Sequence, residues 1–184
     1  MALLPVDDGL ALVLKGIARL GPELVTLDDA LGRVLAENVA ATLTQPPFDA
    51  SAMDGFAVRF EDVATLPATL ALIGESAAGA RFKGTVAPGQ AVRIFTGAPV
   101  PDGADTIVIQ EDTVLSGDAV LIQNTGTGRH IRPRGQDFEQ GEVLLRKGMR
   151  LGPRALVLAA SANHAELYII VSSSISEKKS LPRS

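Results

Sequence analysis

The 184-residue chain carries a formal net charge of −4, 46% hydrophobic residues and no cysteine. That composition supports a buried core, excludes disulfides, thiolate metal sites and cysteine nucleophiles, and argues against general nucleic-acid binding, whose electrostatic footprint is a basic surface. No stretch of about eighteen apolar residues marks a membrane span, and the opening Met-Ala-Leu-Leu-Pro-Val-Asp-Asp lacks the charged and apolar regions of a signal peptide, so a cytoplasmic address is expected.

In chain order, Pro5 to Leu20 reads as an amphipathic helix: Val6, Leu10, Val13, Ile17 and Leu20 recur at helical spacing, with Asp7 and Asp8 in the first turn. Gly21-Pro22 ends it. Glu23 to Leu27 predicts a short strand, Asp28 to Ala36 a short helix capped by an aspartate, and Glu37 to Leu43 extended chain. Pro46-Pro47 marks a domain boundary. From Phe48 to about Asn124 the pattern becomes β, with strands near 55–60, 69–75, 91–95, 106–110 and 119–123 joined by Gly- and Pro-rich connections, as in a small closed barrel or sandwich. Gly141 to Leu151 reads as two short strand segments around Lys147-Gly148. Gly152 to Ser161 reads as a helix with proline in its first turn, Ala165 to Val171 as a last strand, and residues 172–184 as a disordered tail.

Three stretches concentrate polar chemistry. Pro46-Pro47-Phe48-Asp49-Ala50-Ser51-Ala52-Met53-Asp54-Gly55 stiffens the approach to a turn, with Gly55 expected to supply a positive φ. Phe56, Val58 and Phe60 then alternate with Ala57 and Arg59, the period of a strand with one buried face. On shape alone Asp54 and Gly55 either make an ordinary turn or display a carboxylate at a site. The connection from Arg93 to Asp105, with Thr96 and Gly97 at its start, is either a long hairpin link or a functional loop. Arg129, Arg132 and Arg134, beside Gly126, Gly128 and Gly135, suit either an anion site or a solvated edge strand. His130 and His164 read as structural, and Asp49 and Ser51 as local turn caps.

Three blocks in this order resemble the molybdopterin molybdenumtransferase family, akin to the C-terminal domain of gephyrin: Phe48-Asp49-x-Ser51-Ala52-Met53-Asp54-Gly55-Phe56-Ala57-Val58, Arg93-Ile94-x-Thr96-Gly97-Ala98-Pro99-x-Pro101-x-Gly103-Ala104-Asp105, and Ile131-Arg132-x-Arg134-Gly135-x-Asp137. The resemblance runs from about Val6 to Ile170. It implies a mainly β fold with α (α+β), an elongated outer domain carrying an inserted small β-barrel-like domain. In those terms 1–22 is an N-terminal helix that packs on a later α/β domain, 23–44 with 140–171 is the outer domain, 45–139 the inserted β domain and 172–184 a tail. The α/β domain that binds molybdopterin has no counterpart here, so the chain is expected to be a truncated form that is inactive alone.

The resemblance further implies insertion of molybdate into adenylylated molybdopterin with release of AMP, using Mg2+, in a cleft shared between the inserted β domain of one subunit and the α/β domain of its partner. Asp54, Thr96 and Asp137 are the implied catalytic residues, and Ser51, Met53, Gly55, Gly97, Arg132 and Arg134 the substrate-binding ones. Asp54 is also the implied metal ligand. A homodimer, with molybdopterin adenylyltransferase as a further partner, is expected, with no nucleic-acid or membrane partner. Two rivals remain: a non-catalytic dimerisation scaffold that retains the fold, and a small-anion-binding domain built on Arg129, Arg132 and Arg134.

Overall fold

The computed structural model describes residues 5–15, 21–126 and 128–171. Its elements are α1 (Val6–Leu14), β1 (Pro22–Thr26), β2 (Val39–Ala40), β3 (Ala50–Ser51), β4 (Gly55–Val58), β5 (Ala68–Ser76), β6 (Gln90–Ile94), β7 (Thr106–Ile109), β8 (Thr113–Ser116), β9 (Ala119–Ile122), β10 (Ile131–Arg132), β11 (Val143–Leu145), α2 (Pro153–Ser161) and β12 (Glu166–Ile170). They fall into two compact units, Met1–Ala40 with Val143–Ser184, and Ala41–Glu142. No described helix is long and apolar enough to cross a membrane.

In the first unit β1 pairs antiparallel with β12 and β2 with β11. Alternation decides which side of β12 is covered: Leu167 and Ile169 are buried while Glu166, Tyr168 and Ile170 are exposed. Leu167 and Ile169 pack with Leu35, Val39, Leu145, Leu151 and Ala159 of α2 in one apolar cluster. The helix expected over 28–36 is a single 3-10 turn, Asp28–Ala30, with no side-chain cap. Gly32 follows at φ +77°, a left-handed conformation that ends helical chain. Val34 and Leu35 then bridge Arg150 and Ile169, which takes Leu35 into the core. The helix expected over 5–20 is described as Val6–Leu14, in which no residue is buried. Its last turn, residues 16–20, and the expected tail, residues 172–184, lie outside the described residues.

The second unit is built on a curled six-stranded sheet of order β7-β4-β6-β5-β9-β8. Only the β5–β6 pair is parallel. The sheet ends at β7 and β8, so it is an open half-barrel rather than the closed barrel or sandwich expected. β8, absent from the sequence reading, is the edge strand of a hairpin with β9, turning through Gly117 at φ +60°. β4 is buried on both faces, contrary to the one-faced strand expected. Phe56 and Val58 pack with Val108, Ala91 and Val120 on one side, and Ala57 with Val92, Ile94 and Ile107 on the other. The strand stops at Val58, leaving Phe60 in a 3-10 turn and 48% exposed.

Candidate functional site

The short strand β3 gathers the three polar blocks, all within the second unit. On one side it pairs with β10, Ser51 opposite Ile131 and Ala50 opposite Arg132. On the other, Ala50 bridges Pro99, the Gly97 N–H donates to the Ser51 carbonyl at 2.8 Å, and the Ser51 N–H donates to the Ala98 carbonyl at 2.9 Å. Buried Ser76 fastens the same loop from below, its hydroxyl donating to the Pro99 carbonyl at 2.8 Å. A loop held at this many backbone positions by a sheet is a rigid support for a side chain at its start.

That side chain is Thr96. Its N–H and its hydroxyl both donate to Oδ1 of Asp54, at 2.8 and 2.7 Å. Asp54 is presented by a local turn in which the buried Ser51 hydroxyl donates to the Met53 carbonyl at 2.6 Å, and its own carbonyl accepts from the Gln110 N–H at 3.1 Å. The Thr96 amide, then the Thr96 hydroxyl, hold the Asp54 carboxyl below the ordinary aspartate value; partial desolvation opposes this and the nearby Arg93 charge assists it. Asp54 is therefore a firmly ionised carboxylate with Oδ2 left open to solvent among the described residues.

Gly55 does not have the positive φ expected of it; what the position requires is the absence of a side chain. A methyl group there would sit 2.0 Å from the Val108 carbonyl oxygen, because β4 runs close against β7. The left-handed residues of the two loops are Gly97, at φ +81°, and Gly103, at φ +86°, both in the Arg93–Asp105 connection.

Asp137 has a different environment. Arg132 Nη2 donates to both of its oxygens, at 2.8 and 2.9 Å, so the cation expected to hold substrate is engaged by a carboxylate. The three arginines do not converge on one point. Arg134 donates its backbone N–H to Asp49 Oδ1 at 2.7 Å and reaches the Thr44 hydroxyl, and Arg129 lies 5.8 Å from the ring centre of Phe60. Met53 is 41% exposed beside Asp54. A cavity of about 750 Å³ is lined by Phe56, Leu72, Glu75, Arg93, Gln110 and Leu115 among others. The sequence signal for Arg93 is a cation on a strand face two residues before Phe95.

No group of three His, Asp or Glu residues able to hold a metal ion occurs among the described residues. Mg2+ commonly takes only one or two protein carboxylates and completes its shell with water and phosphoryl oxygens. The open Oδ2 of Asp54 fits that single-carboxylate mode and not an all-protein cage.

A family model described as the MoeA N-terminal region (domain I and II) matches residues 4–163. The chain is 40% identical over 152 residues to the molybdopterin molybdenumtransferase of Nostoc sp., covering 80% of this chain and 35% of that protein. It is 39% identical over 175 residues to that of Synechococcus elongatus, covering 91% and 43%. A solved molybdopterin biosynthesis MoeA protein from Pyrococcus horikoshii matches with a TM-score of 0.79 at 30% identity, over 92% of this chain and 44% of that one. The chain thus spans less than half the length of these relatives.

Proposed function

Since the chain belongs to the MoeA family, matching its N-terminal region, and that family serves molybdenum cofactor biosynthesis, we propose that it contributes the Asp54–Thr96 half of a site that inserts molybdate into adenylylated molybdopterin with release of AMP. The observation that carries this reading is the carboxylate of Asp54, held on one oxygen by both Thr96 donors and open on the other. Metal insertion coupled to cleavage of a phosphoryl linkage needs a fixed negative group to control a cation or water, and donors to meet developing charge. Asp54 supplies the first, and the N–H donors of the Arg132 guanidinium beyond the Nη2 that engages Asp137 supply the second.

Asp54 Oδ2 would hold Mg2+, which when bound neutralises charge on phosphoryl and molybdate oxygens. Asp137 and Arg132 act as a pair in this reading: the guanidinium fixes the carboxylate and keeps its remaining N–H donors for an oxyanion. Ser51, Met53, Gly97 and Arg134 complete the substrate-binding set in this reading, Ser51 and Gly97 through the backbone bond that joins their two loops. The protein would work in the cytoplasm as a homodimer, supplied by molybdopterin adenylyltransferase, with the other half of the cleft coming from sequence that its relatives carry and this chain does not match.

The test is a chimera in which residues 4–163 replace the matching region of the Synechococcus elongatus enzyme. Given adenylylated molybdopterin, molybdate and Mg2+, the chimera should form cofactor while the 184-residue chain alone forms almost none. A folded but inactive chimera would overturn the reading in favour of a non-catalytic scaffold, and efficient turnover by the chain alone would overturn the division of the site.

A further inference from the structure

We propose that Arg93 is a positioning residue for the Asp54–Thr96 pair, its guanidinium bracing the two chain segments that carry them. Arg93 stands opposite Phe56 in the β4–β6 register and lies 5.0 Å from that ring's centre, and 5.2 Å from the centre of Phe95. Phe56 is two residues after Asp54 and Phe95 is one residue before Thr96, so one cation rests on an aromatic ring from each segment. The third hold is Gln110: Arg93 Nη2 donates to its Oε1 at 2.7 Å, while the Gln110 N–H donates to the Asp54 carbonyl at 3.1 Å. Rings, amide and guanidinium thereby close a path that leaves Asp54 on one side and reaches Thr96 on the other.

The competing account is an ordinary solvated surface cation. Such a group would pair with Glu75, which is its register partner across the parallel β5–β6 ladder and lines the same cavity. Among the described residues Arg93 forms no ion pair with Glu75; it turns instead to the rings and to Gln110. Arg93, Phe56 and Gln110, three members of the brace, all line the cavity of about 750 Å³.

The bracing is a property of this chain, and only its consequence for turnover rests on the metal-insertion reading. The experiment is therefore amide hydrogen exchange by NMR on the 184-residue chain. R93Q should speed exchange of the Thr96 amide about tenfold or more while the Ile107 and Val120 amides stay protected, and R93K should recover part of the loss by restoring a cation over the rings. Thr96 exchange within about twofold of wild type in R93Q would overturn the proposal. Should R93Q not fold, Q110A removes the tether alone and should give a smaller acceleration at Thr96; no change there would overturn it equally. In the chimera, R93Q should lower kcat with KM within about twofold. An active chimera whose Thr96 exchange ignores R93Q sinks this proposal and leaves the function standing, whereas a braced Thr96 in an inactive chimera does the reverse.

Discussion

Asp54 Oδ1 receives two hydrogens from one residue, and each stabilises the charged carboxylate over the neutral acid. With the folded-state pKa held below the unfolded one, the contribution to stability is complete above the ordinary aspartate value and disappears as pH falls through the lowered value. Replacing Thr96 by valine removes the hydroxyl donor and keeps the shape. The Asp54 carboxyl of T96V, followed by carbon-13 NMR, should titrate at higher pH than in the wild type, and the acid limb of chimera activity should move up with it. An unmoved titration would show that the hydroxyl does not hold the carboxylate in solution. Asp54 and Thr96 stood out in the sequence by their blocks; the bond between them, across forty-two residues, did not, because no local pattern encodes a contact made through the register of β4 and β6.

Elements explain why those residues have little freedom. β4 lies between β6 and β7 and is covered on both faces, so the glycine at its entry is fixed by the Val108 carbonyl 2.0 Å from where a Cβ would stand. Alanine at position 55 should therefore destabilise the chain by about 1–3 kcal/mol through forced separation of β4 and β7, measured by urea unfolding; a loss within experimental error would mean the two strands part freely. The main strands of the half-barrel were legible because apolar runs bounded by Gly and Pro are strand signals wherever they sit. What was not legible was the second buried face of β4: Ala57 is small enough to read as either solvent-facing or packed, and only Ile94 and Ile107 across the sheet decide it. Asp28 to Ala36 carries a helix start, but Leu35 is bridged to Ile169 and buried in the cluster around it, a tertiary contact that no local pattern encodes. β8 gives no alternation in the sequence because Val114, Leu115 and Ser116 are all exposed, as an edge strand allows.

For the molecule as a whole, the candidate site belongs to the unit Ala41–Glu142, and the family match extends beyond it on both sides, over residues 4–163. Family membership was legible in three short blocks because their loop geometry leaves few residue choices: Gly55 admits no side chain, Gly97 needs a left-handed backbone, and Ser51 must satisfy a buried hydroxyl. The engagement of Arg132 by Asp137, five positions on, was not legible because it depends on how the four residues between them fold back. The measurement that bears most directly on the central claim is cofactor formation by the chimera carrying Asp54→Asn. If Asp54 is the reactive carboxylate of this half-site, D54N folds with the wild-type spectrum and loses at least about 100-fold in rate; a rate within about twofold of the wild-type chimera would contradict it.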